Sequence, residues 1–410
     1  MTGRWGILVF VAVFGVAGLL PASDRARAAP DLPIATDMRV AGDDTQTRFI
    51  MDISRKIDLR VFTLADPYRV VVDIPQVTFE LPPRLGDKGR GLIKAFRFGL
   101  VMAGGSRIVL DVGKPVRLDK AFVLDAQNGQ PARLVLDLSA TDRESFMRKL
   151  NLESSARPAL PQPAPVSPVA SSDPRPIVVI DPGHGGIDTG TKSDAGDDEK
   201  SVVLALGLML RDTLEKGGKY RVVMTRTDDT FVPLADRVRF ARDRQGALFL
   251  SIHADALSKR EGDAQGATVY TLSERASDAE AARLADEENK ADIIAGLDLT
   301  REPNDVADIL IDLAHRETKT FAHQFAKGLI GELRGAIRLH RSPMKSAGFV
   351  VLKAPDVPSV LLEVGYMSNK EDLKLLKSDA WRAKTVETVA RSIDLFFSTR
   401  RVAGAASPQP

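Results

Sequence analysis

Alternating apolar and polar residues characterise the first part of the chain and predict an all-β domain, which we place at residues 34–145. An arginine, three apolar residues, an aspartate and a closing aliphatic residue recur at residues 48–53, 69–74, 107–112 and 133–138. Because these copies form two pairs, we expect an internal duplication and two similar sheets packed as a sandwich. The simplest interpretation of the Arg/Asp alternation is a solvated sheet face, and the alternative is a surface that binds a polymeric ligand.

A change of pattern separates this domain from the rest of the chain. Residues 154–176 are rich in Pro, Ala and Ser and contain no aromatic residue. Such a segment cannot bury enough surface to fold by itself. We therefore place a semi-extended, Pro-rich linker at residues 146–175 and expect it to let the two domains move separately.

Short apolar runs then alternate with helical spacing, which predicts a second, α/β domain with a mainly parallel central sheet at residues 176–400. We expect strands at residues 177–180, 220–225, 247–252, 266–272, 348–352 and 359–362. We expect helices at about residues 199–214, 234–244 and 384–397. A tail at residues 401–410 is expected to be disordered.

An unusually long connection interrupts this second domain. About 75 residues separate the strands expected at 266–272 and 348–352, far more than an ordinary connection needs. The segment is charged and alanine-rich, and we expect helices at residues 278–294 and 305–333. Long insertions beside a catalytic edge are often lids, so we treat residues 273–345 as a helical regulatory insertion.

The start of the chain has the pattern of a secretory signal peptide at residues 1–28. Arg4 precedes an apolar run over residues 6–20, and Ala26-Arg27-Ala28 supplies a small-residue cleavage site. The run is shorter than the ~20 residues that usually span a membrane, although a retained anchor is the alternative. We therefore expect export to a periplasm and no integral membrane span after cleavage.

The composition limits the chemistry that the protein can perform. The length of 410 residues suggests two or three domains. The 57 basic and 55 acidic side chains leave a net charge of +2, which disfavours a nucleic-acid partner. The absence of cysteine excludes disulfides, thiolate metal ligands and thiol nucleophiles. Any metal ion must be held by carboxylates and by some of the 5 histidines.

Three of the predicted strands lead into side chains that could perform chemistry. The run at 177–180 continues into a glycine-rich turn that contains His184, the run at 247–252 leads to His253, and the run at 359–362 ends at Glu363. The carboxyl ends of parallel strands meet at one edge of a sheet, where ligands bind. We therefore expect these three side chains to lie in one cleft.

Two imidazoles and a carboxylate form a typical ligand set of hydrolytic zinc sites. We expect His184 and His253 to bind one zinc ion together with Glu199, for which an ordinary helix-dipole acid is the alternative. Glu363 would accept a proton from the activated water and pass it to the leaving amine, unless it only ends its strand in a salt bridge. We interpret the remaining histidines as non-ligands: His315, His323 and His340.

Longer motifs carry a family resemblance across residues 175–400. They are the stretches 181–186, 199–200, 225–226, 251–255 and 358–369. In this order and spacing they resemble the zinc-dependent N-acetylmuramoyl-L-alanine amidases of the AmiA/AmiB/AmiC cell-division type. The β domain is similar to the AMIN module of such enzymes. One departure is Arg242, where many relatives have asparagine.

The resemblance implies hydrolysis of the amide between the lactyl group of N-acetylmuramic acid and L-alanine of the peptidoglycan stem peptide, in daughter-cell separation. It maps the ligands of one zinc ion onto His184, Glu199 and His253, and the catalytic glutamate onto Glu363. It also implies that the AMIN-like domain attaches the enzyme to peptidoglycan. We expect the protein to be a monomer.

The insertion resembles that of the division amidases, in which a helix covers the zinc until a LytM/EnvC-like activator protein moves the helix away. We hypothesise that an acid of the helix at 278–294 occupies the open zinc position. Glu280 is the first choice, followed by Glu288 and Glu287. The alternative is that all three are ordinary solvated helix charges.

Two functions of other classes stay open beside the amidase. One is a non-catalytic peptidoglycan-binding wall protein, and the other is a zinc peptidase that cuts within the stem peptide. The presence of all four site residues disfavours the first, because a degenerate enzyme normally loses at least one of them.

Overall fold

The computed structural model describes residues 32–82, 84–102, 104–155, 173–256, 265–297 and 310–405. The predicted signal peptide at residues 1–28 therefore lies outside the described residues, as does most of the predicted linker. Over the described ranges, no helix combines the length and the apolarity that crossing a membrane requires.

The β domain consists of two sheets, in which the repeated phrase lies on adjacent strands. Its elements are β1 (Ile34–Gly42), β2 (Gln46–Ile53), β3 (Arg60–Leu64), β4 (Arg69–Pro75), β5 (Thr78–Phe79), β6 (Ile93–Met102), β7 (Gly105–Val112), β8 (Val116–Leu124), β9 (Ala132–Ala140) and α1 (Arg143–Ser155). The five-stranded sheet has the order β5-β1-β2-β9-β8, and the four-stranded sheet has the order β3-β4-β7-β6. Two copies of the phrase pair as β2 and β9, and the other two pair as β4 and β7.

The inward side chains of the two sheets share one core. Phe49 and Met51 of the five-stranded sheet are buried in the same cluster as Val70, Val72 and Leu110 of the four-stranded sheet. Successive side chains of a strand point to opposite faces, so the arginine, the middle apolar residue and the aspartate of each copy face away from this core. The predicted sandwich of two similar sheets is confirmed.

The outward faces of the two sheets differ, and the prediction of a solvated face is wrong for one of them. Val71 and Val109 of the four-stranded sheet are fully buried. They belong to an apolar cluster that includes Phe249 and Leu361 of the second domain. The outward face of the four-stranded sheet is therefore covered by the second domain. The expectation of two separately moving domains does not agree with this packing.

The second domain has a six-stranded sheet with the order β11-β10-β12-β15-β13-β14. Its strands are β10 (Ile177–Pro182), β11 (Arg221–Met224), β12 (Leu248–His253), β13 (Ala267–Leu272), β14 (Leu339–Ala347) and β15 (Ser359–Glu363). Its helices are α2 (Glu199–Lys216), α3 (Leu234–Asp243), α4 (Ala279–Glu288), α5 (Ala291–Ile294), α6 (Leu310–Arg334), α7 (Lys370–Leu376) and α8 (Asp379–Ala405). Strands β11, β10, β12 and β15 are parallel, whereas β13 runs antiparallel to β15, so the sheet is mainly parallel as predicted.

Each face of this sheet is covered by different elements. Helices α2, α6 and α8 pack on the face that presents Val178, Leu250 and Leu362. Helices α3, α4 and α5 pack on the opposite face together with the four-stranded sheet of the β domain. Since neighbouring residues of a buried strand contact both layers, β10, β12 and β15 are apolar over most of their length.

Several predicted boundaries differ from the structure. The insertion is not helical up to residue 345, because β14 occupies residues 339–347 and pairs with β13. The strand predicted at 348–352 is a short 3-10 helix, Val350–Leu352. Strand β14 lies at the sheet edge and is largely polar, so it lacks the apolar run expected of a buried strand. The helix predicted at 278–294 is divided into α4 and α5, α1 covers the start of the predicted linker, and α8 continues into the predicted tail.

Candidate active site

The ends of three parallel strands bring the predicted site residues to one edge of the sheet. Strand β12 pairs with both β10 and β15, and His253 is directly opposite Glu363 in this register. His184 follows the end of β10 by two residues. The rings of His184 and His253 have centroids 4.9 Å apart and meet edge to face. The structure therefore brings both histidines and Glu363 together as the sequence predicted.

Three side chains are arranged to hold a metal ion. One ligand atom from each of His184, Glu199 and His253 lies within 4.8 Å of the other two, and all three residues are buried. Glu199 Oε1 lies 3.1 Å from His184 Nε2 and 3.5 Å from His253 Nδ1. Within the described part of the chain, neither of these buried ring nitrogens has a hydrogen-bond partner. Two unpaired nitrogens directed at a buried carboxylate fit the donor set of a divalent cation.

Glu199 is held by backbone N–H groups from two directions. Its Oε1 accepts a hydrogen bond from Ala254 N at 2.8 Å, and its Oε2 accepts one from Thr191 N at 3.0 Å. The side chain is completely buried at the first residue of α2. A solvated helix-dipole acid would be exposed, so the alternative interpretation of Glu199 does not describe this environment.

The glycine-rich turn holds His184 in a conformation that few side chains adopt. Its φ is +58°, and its Nδ1 lies 3.0 Å from Asp188 Oδ2. This contact leaves Nε2 to face the other ligands and fixes the tautomer of the ring. A Cβ at Gly190 would lie 2.6 Å from the His184 ring, and one at Gly183 would lie 2.4 Å from the His253 ring. Glycine is therefore required at both positions for the two imidazoles to fit.

Two buried arginines fix the turn by binding its carbonyl groups. Arg237 donates to His184 O at 2.7 Å and pairs with Asp181 at 2.7 Å. Arg226 donates to Gly183 O at 2.7 Å. The positioning roles of Asp188 and Arg237 were not predicted from the sequence. Two features of the sequence could have identified them. Asp188 follows His184 by four residues, and Arg237 lies on the inward face of a predicted helix.

Glu363 is buried beside the metal-ligand set and keeps one oxygen free within the described residues. Its Oε2 accepts a hydrogen bond from Asp255 N at 3.0 Å, whereas its Oε1 has no partner there. Burial raises the pKa of Glu363 well above its usual value, and the neighbouring carboxylates of Asp255 and Glu199 add to this. Burial, followed by the charge of Glu199, also raises the pKa of Asp255 to about 7.

The charges around the two histidines are unbalanced without a cation. Burial by itself would lower the pKa of His184, but the carboxylates of Glu199, Asp188 and Glu288 outweigh it and raise that pKa well above the usual value. Burial lowers the pKa of His253. One imidazole is thus drawn toward its charged form by a group of acids while the other is kept neutral. A divalent cation among them would balance the carboxylates and bind both rings through their unpaired nitrogens.

Of the three acids proposed to block the site, the structure places Glu288 beside the ligands. Its Oε2 lies 3.2 Å from His253 Nδ1, and its Oε1 lies 3.7 Å from His184 Nε2. Burial raises the pKa of Glu288 well above its usual value. The first choice, Glu280, is wrong, because its carboxylate lies 2.8 Å from Lys345 Nζ of β14. Glu287 pairs with Arg283 at 2.7 Å on the exposed side of α4.

Among the described side chains, those of His323, His340 and Arg242 do not belong to the ligand set. His340 is buried, and its Nδ1 accepts a hydrogen bond from Ser342 N at 3.1 Å. His323 is exposed on α6, and the side chain of His315 lies outside the described residues. Arg242 pairs with Asp356 at 3.1 Å on the surface.

Comparisons with known proteins agree with this geometry. A family model described as N-acetylmuramoyl-L-alanine amidase matches residues 178–394, and the AMIN domain model matches residues 37–138. The chain is 32% identical over 403 residues to the N-acetylmuramoyl-L-alanine amidase AmiC of Escherichia coli O6:H1, covering 94% of each chain. It is 32% identical to AmiC of Neisseria meningitidis serogroup B, covering 90% of this chain and 91% of the relative. It is 39% identical over 222 residues to AmiA of Escherichia coli K12, covering 54% of this chain and 76% of the relative.

Both domains of the chain are thus matched, in the same order as the β domain and the α/β domain of the structure. The His184, Glu199 and His253 set lies in the part that matches the amidase model. The repeated phrases of the β domain lie in the part that matches the AMIN model. The chain belongs to the N-acetylmuramoyl-L-alanine amidases of the AmiA/AmiB/AmiC type and carries an AMIN domain before its amidase domain.

Proposed function

We propose that this amidase uses one zinc ion, held by His184, Glu199 and His253, to cleave the amide between the lactyl group of N-acetylmuramic acid and L-alanine of the stem peptide. The observation that carries the proposal is the pair of buried, unpaired ring nitrogens directed at Glu199. Zinc bound by such a set supplies Lewis acidity, which activates water near neutral pH. The rest of the chemistry falls to side chains of the protein.

Glu363 is the proton carrier in this proposal. Its free Oε1 would accept a proton from the attacking water, and the same carboxyl would then give that proton to the leaving amine of L-alanine. Burial keeps bulk water away from the carboxyl and favours its protonated form between these two steps. Asp188 would hold the His184 ring in place throughout, because it binds the nitrogen that does not face the ligand set.

The proposed place of action is the periplasm, where the enzyme would cut peptidoglycan during daughter-cell separation. The signal-peptide pattern of residues 1–28 supports export. The AMIN domain supports attachment to peptidoglycan. We propose that the working form is a monomer, regulated by a LytM/EnvC-like activator protein.

We further propose that Glu288 keeps the enzyme inactive until it is activated. A catalytic zinc ion needs one open position for water or substrate. The Glu288 carboxylate lies within 3.2 Å and 3.7 Å of nitrogens of the two histidines, where it would take that position. Withdrawal of α4 by the activator would remove the carboxylate and admit substrate. Such control fits an enzyme whose unrestrained activity would lyse the cell.

The first experiment tests the hydrolytic mechanism in protein carrying Glu288→Ala, so that the block does not hide activity. We expect Glu363→Gln to lower the release of stem peptide from purified peptidoglycan at least ~100-fold, the lower end of general acid–base catalysis. Metal analysis should show that Glu363→Gln keeps its zinc, whereas His253→Ala loses it. Mass spectrometry should identify peptides that begin at L-alanine.

Three results would overturn this part of the proposal. Peptides shorter than the complete stem would identify a zinc peptidase. No product from the protein with Glu288→Ala and a full zinc content would favour a wall-binding protein. Retention of zinc by His253→Ala would show that the ligand set is assigned incorrectly.

The second experiment tests the block in the otherwise unchanged full chain. We expect Glu288→Ala to raise the basal release of dye from labelled peptidoglycan roughly 5- to 150-fold, the range of a 1–3 kcal/mol coupling. Glu287→Ala is the matched control, because it removes the neighbouring acid of the same helix and should leave basal release unchanged. An equal basal rate in Glu288→Ala and the unchanged protein would refute the block.

A further inference from the structure

The four-stranded sheet of the β domain binds the segment that follows the blocking helix. Arg69 Nη1 donates to Ile293 O at 2.6 Å. Arg97 Nε donates to Ile294 O at 2.9 Å. Arg107 Nη1 donates to the next two carbonyls, Ala295 O at 3.0 Å and Gly296 O at 3.2 Å. Three strands of one sheet thus each contribute an arginine to a continuous run of backbone carbonyls.

These carbonyls lie at and just beyond the C-terminal end of α5, and Ile293 O also accepts a hydrogen bond from Gly296 N at 3.0 Å. The end of a helix carries partial negative charge on such carbonyls, which cationic donors satisfy. The arginines are held in position by aspartates of the same sheet: Arg107 pairs with Asp73 at 2.6 Å, and Arg97 pairs with Asp111 at 2.6 Å. The side chain of Arg107 is only 3% exposed. Arg69 is buried as well, whereas the side chain of Arg97 is 30% exposed, so two of the three donors are desolvated.

The apolar part of this contact is shaped to the segment. Gly296 has φ +70° and lies against Val71 and Val109, where a Cβ would come within 3.0 Å of a methyl group of each valine. Ala295 beside it is completely buried. Any other residue here would adopt an unfavourable positive φ and would press its Cβ against both valines. We define residues 293–296, together with Arg69, Arg97, Arg107, Val71 and Val109, as the latch.

A short stretch of chain connects the latch to the blocking acid. Glu288 is the last residue of α4, and Ile293 follows it by five residues. Between them, the side chain of Asn289 bonds Gly348 O at 3.0 Å and Val350 N at 2.8 Å. Asp292 Oδ1 accepts a hydrogen bond from Leu234 N at 3.0 Å. Because only four residues separate Glu288 from Ile293, a displacement of the segment from the latch would be passed along this short stretch toward the Glu288 carboxylate.

We infer that the AMIN domain is an inhibitory partner of the catalytic domain in addition to its targeting role, because its four-stranded sheet holds the blocking segment closed through the latch. This inference rests on the proposed block by Glu288. Any event that separates the sheet from residues 293–296 would weaken the block. The interaction surface is the arginine-bearing face of β4, β6 and β7, and its partner is the C-terminal end of α5.

The test compares two double variants of the full chain without activator. The latch variant is Arg97→Ala with Arg107→Ala, and the control is Arg211→Ala with Arg391→Ala, which removes the same charge from ion pairs on the surface of α2 and α8. We expect the latch variant to raise basal dye release at least ~5-fold and the control to leave it unchanged. Hydrogen–deuterium exchange of residues 279–297 should become faster in the latch variant only.

A second pair of variants avoids removing buried charge. Gly296→Val should displace the segment by steric conflict with the two valines and raise basal release in the same way. Gly129→Val is its control, since Gly129 also has a positive φ but has open space around it. Both changes carry a similar backbone penalty, so a difference between them reports the latch itself.

The outcomes separate the latch from the block. If Glu288→Ala raises basal release but neither latch variant does, the AMIN domain is not inhibitory and the inference is wrong. If Glu288→Ala also leaves release unchanged, the block itself fails. If the latch acts through Glu288, adding Gly296→Val to Glu288→Ala should give no further increase, whereas an additive increase would contradict it.

Discussion

The two sheets of the AMIN domain carry the same repeated phrase in opposite environments. In the five-stranded sheet, Arg48 pairs with Asp137 at 2.6 Å and its side chain is 53% exposed. In the four-stranded sheet, Arg107 pairs with Asp73 at the same distance and is 3% exposed. The cross-strand ion pair is therefore a property of the repeat itself. What differs is the group that receives the remaining guanidinium N–H donors.

This difference decides what the same residues contribute. Water solvates the remaining donors of Arg48, so its ion pair should contribute no more than about 1 kcal/mol. Arg107 is covered, and its remaining donors bind carbonyls of the segment beyond α5. A covered cation is tolerated when its hydrogen bonds are complete, and it becomes costly when a partner is removed. The outward face of the four-stranded sheet is thus an interface with the second domain, whereas that of the five-stranded sheet is exposed to solvent.

The largest expected effect on stability comes from replacing the middle apolar residue of the repeated phrase with an acid, once in each sheet. Val109→Asp would bury a carboxylate against the second domain and should lower the free energy of unfolding by about 3 kcal/mol or more. Ile50→Asp changes the equivalent outward position of β2 and should lower the free energy of unfolding by about 1 kcal/mol or less. Urea unfolding followed by far-UV circular dichroism measures both.

The comparison would fail if the two variants had equal unfolding midpoints, because Val109 would then be as accessible to water as Ile50. A shift confined to Val109→Asp would support the covered face. Basal amidase activity of the same proteins connects this result to the latch, since Val109 also contacts Gly296.

The sequence predicted the sandwich and the pairing of its repeats, but it could not predict which sheet is covered. All four copies have the same order of arginine, apolar residues and aspartate. Coverage depends on where α5 and the second domain lie, and nothing local to Arg69 or Arg107 distinguishes them from Arg48. Because the Arg/Asp pattern is the same in all four copies, the outward faces of both sheets were interpreted in the same way.

The grouping of the candidate site residues was predictable for the opposite reason. His184, His253 and Glu363 follow apolar runs, and parallel strands bring such ends together whatever the loops do. Glu199 followed from its place after the glycine turn and from the family resemblance. These residues depend on the topology of the sheet, which the alternation of strands and helices reveals.

The choice among the acids of α4 failed because the neighbouring element was predicted incorrectly. Glu280 pairs with Lys345, which lies on β14, a strand that the sequence analysis had included in a helical insertion. Glu288 does carry a local signal. It is an acid at the C-terminal end of its helix, where the helix dipole is unfavourable, so another interaction must stabilise it there. The nearby histidines and their metal would provide that interaction.

The smallest expected effect is the pH dependence of an exposed ion pair in the five-stranded sheet. The hydrogen bond from Arg48, followed by its charge, lowers the pKa of Asp137 below the usual value. A lowered folded-state pKa means that the pair contributes stability above the unfolded pKa of ~3.9 and loses it as the pH falls through the folded-state value. We expect Asp137→Asn to cost about 1 kcal/mol or less at pH 7 and to approach the unchanged protein in stability once the pH has fallen below the folded-state pKa of Asp137. The covered equivalent, Asp73→Asn, should cost more at pH 7, because it leaves the desolvated Arg107 guanidinium without its carboxylate. Equal losses in the two variants would mean that the two sheets are equally hydrated, and the distinction between an interface copy and a surface copy would not stand.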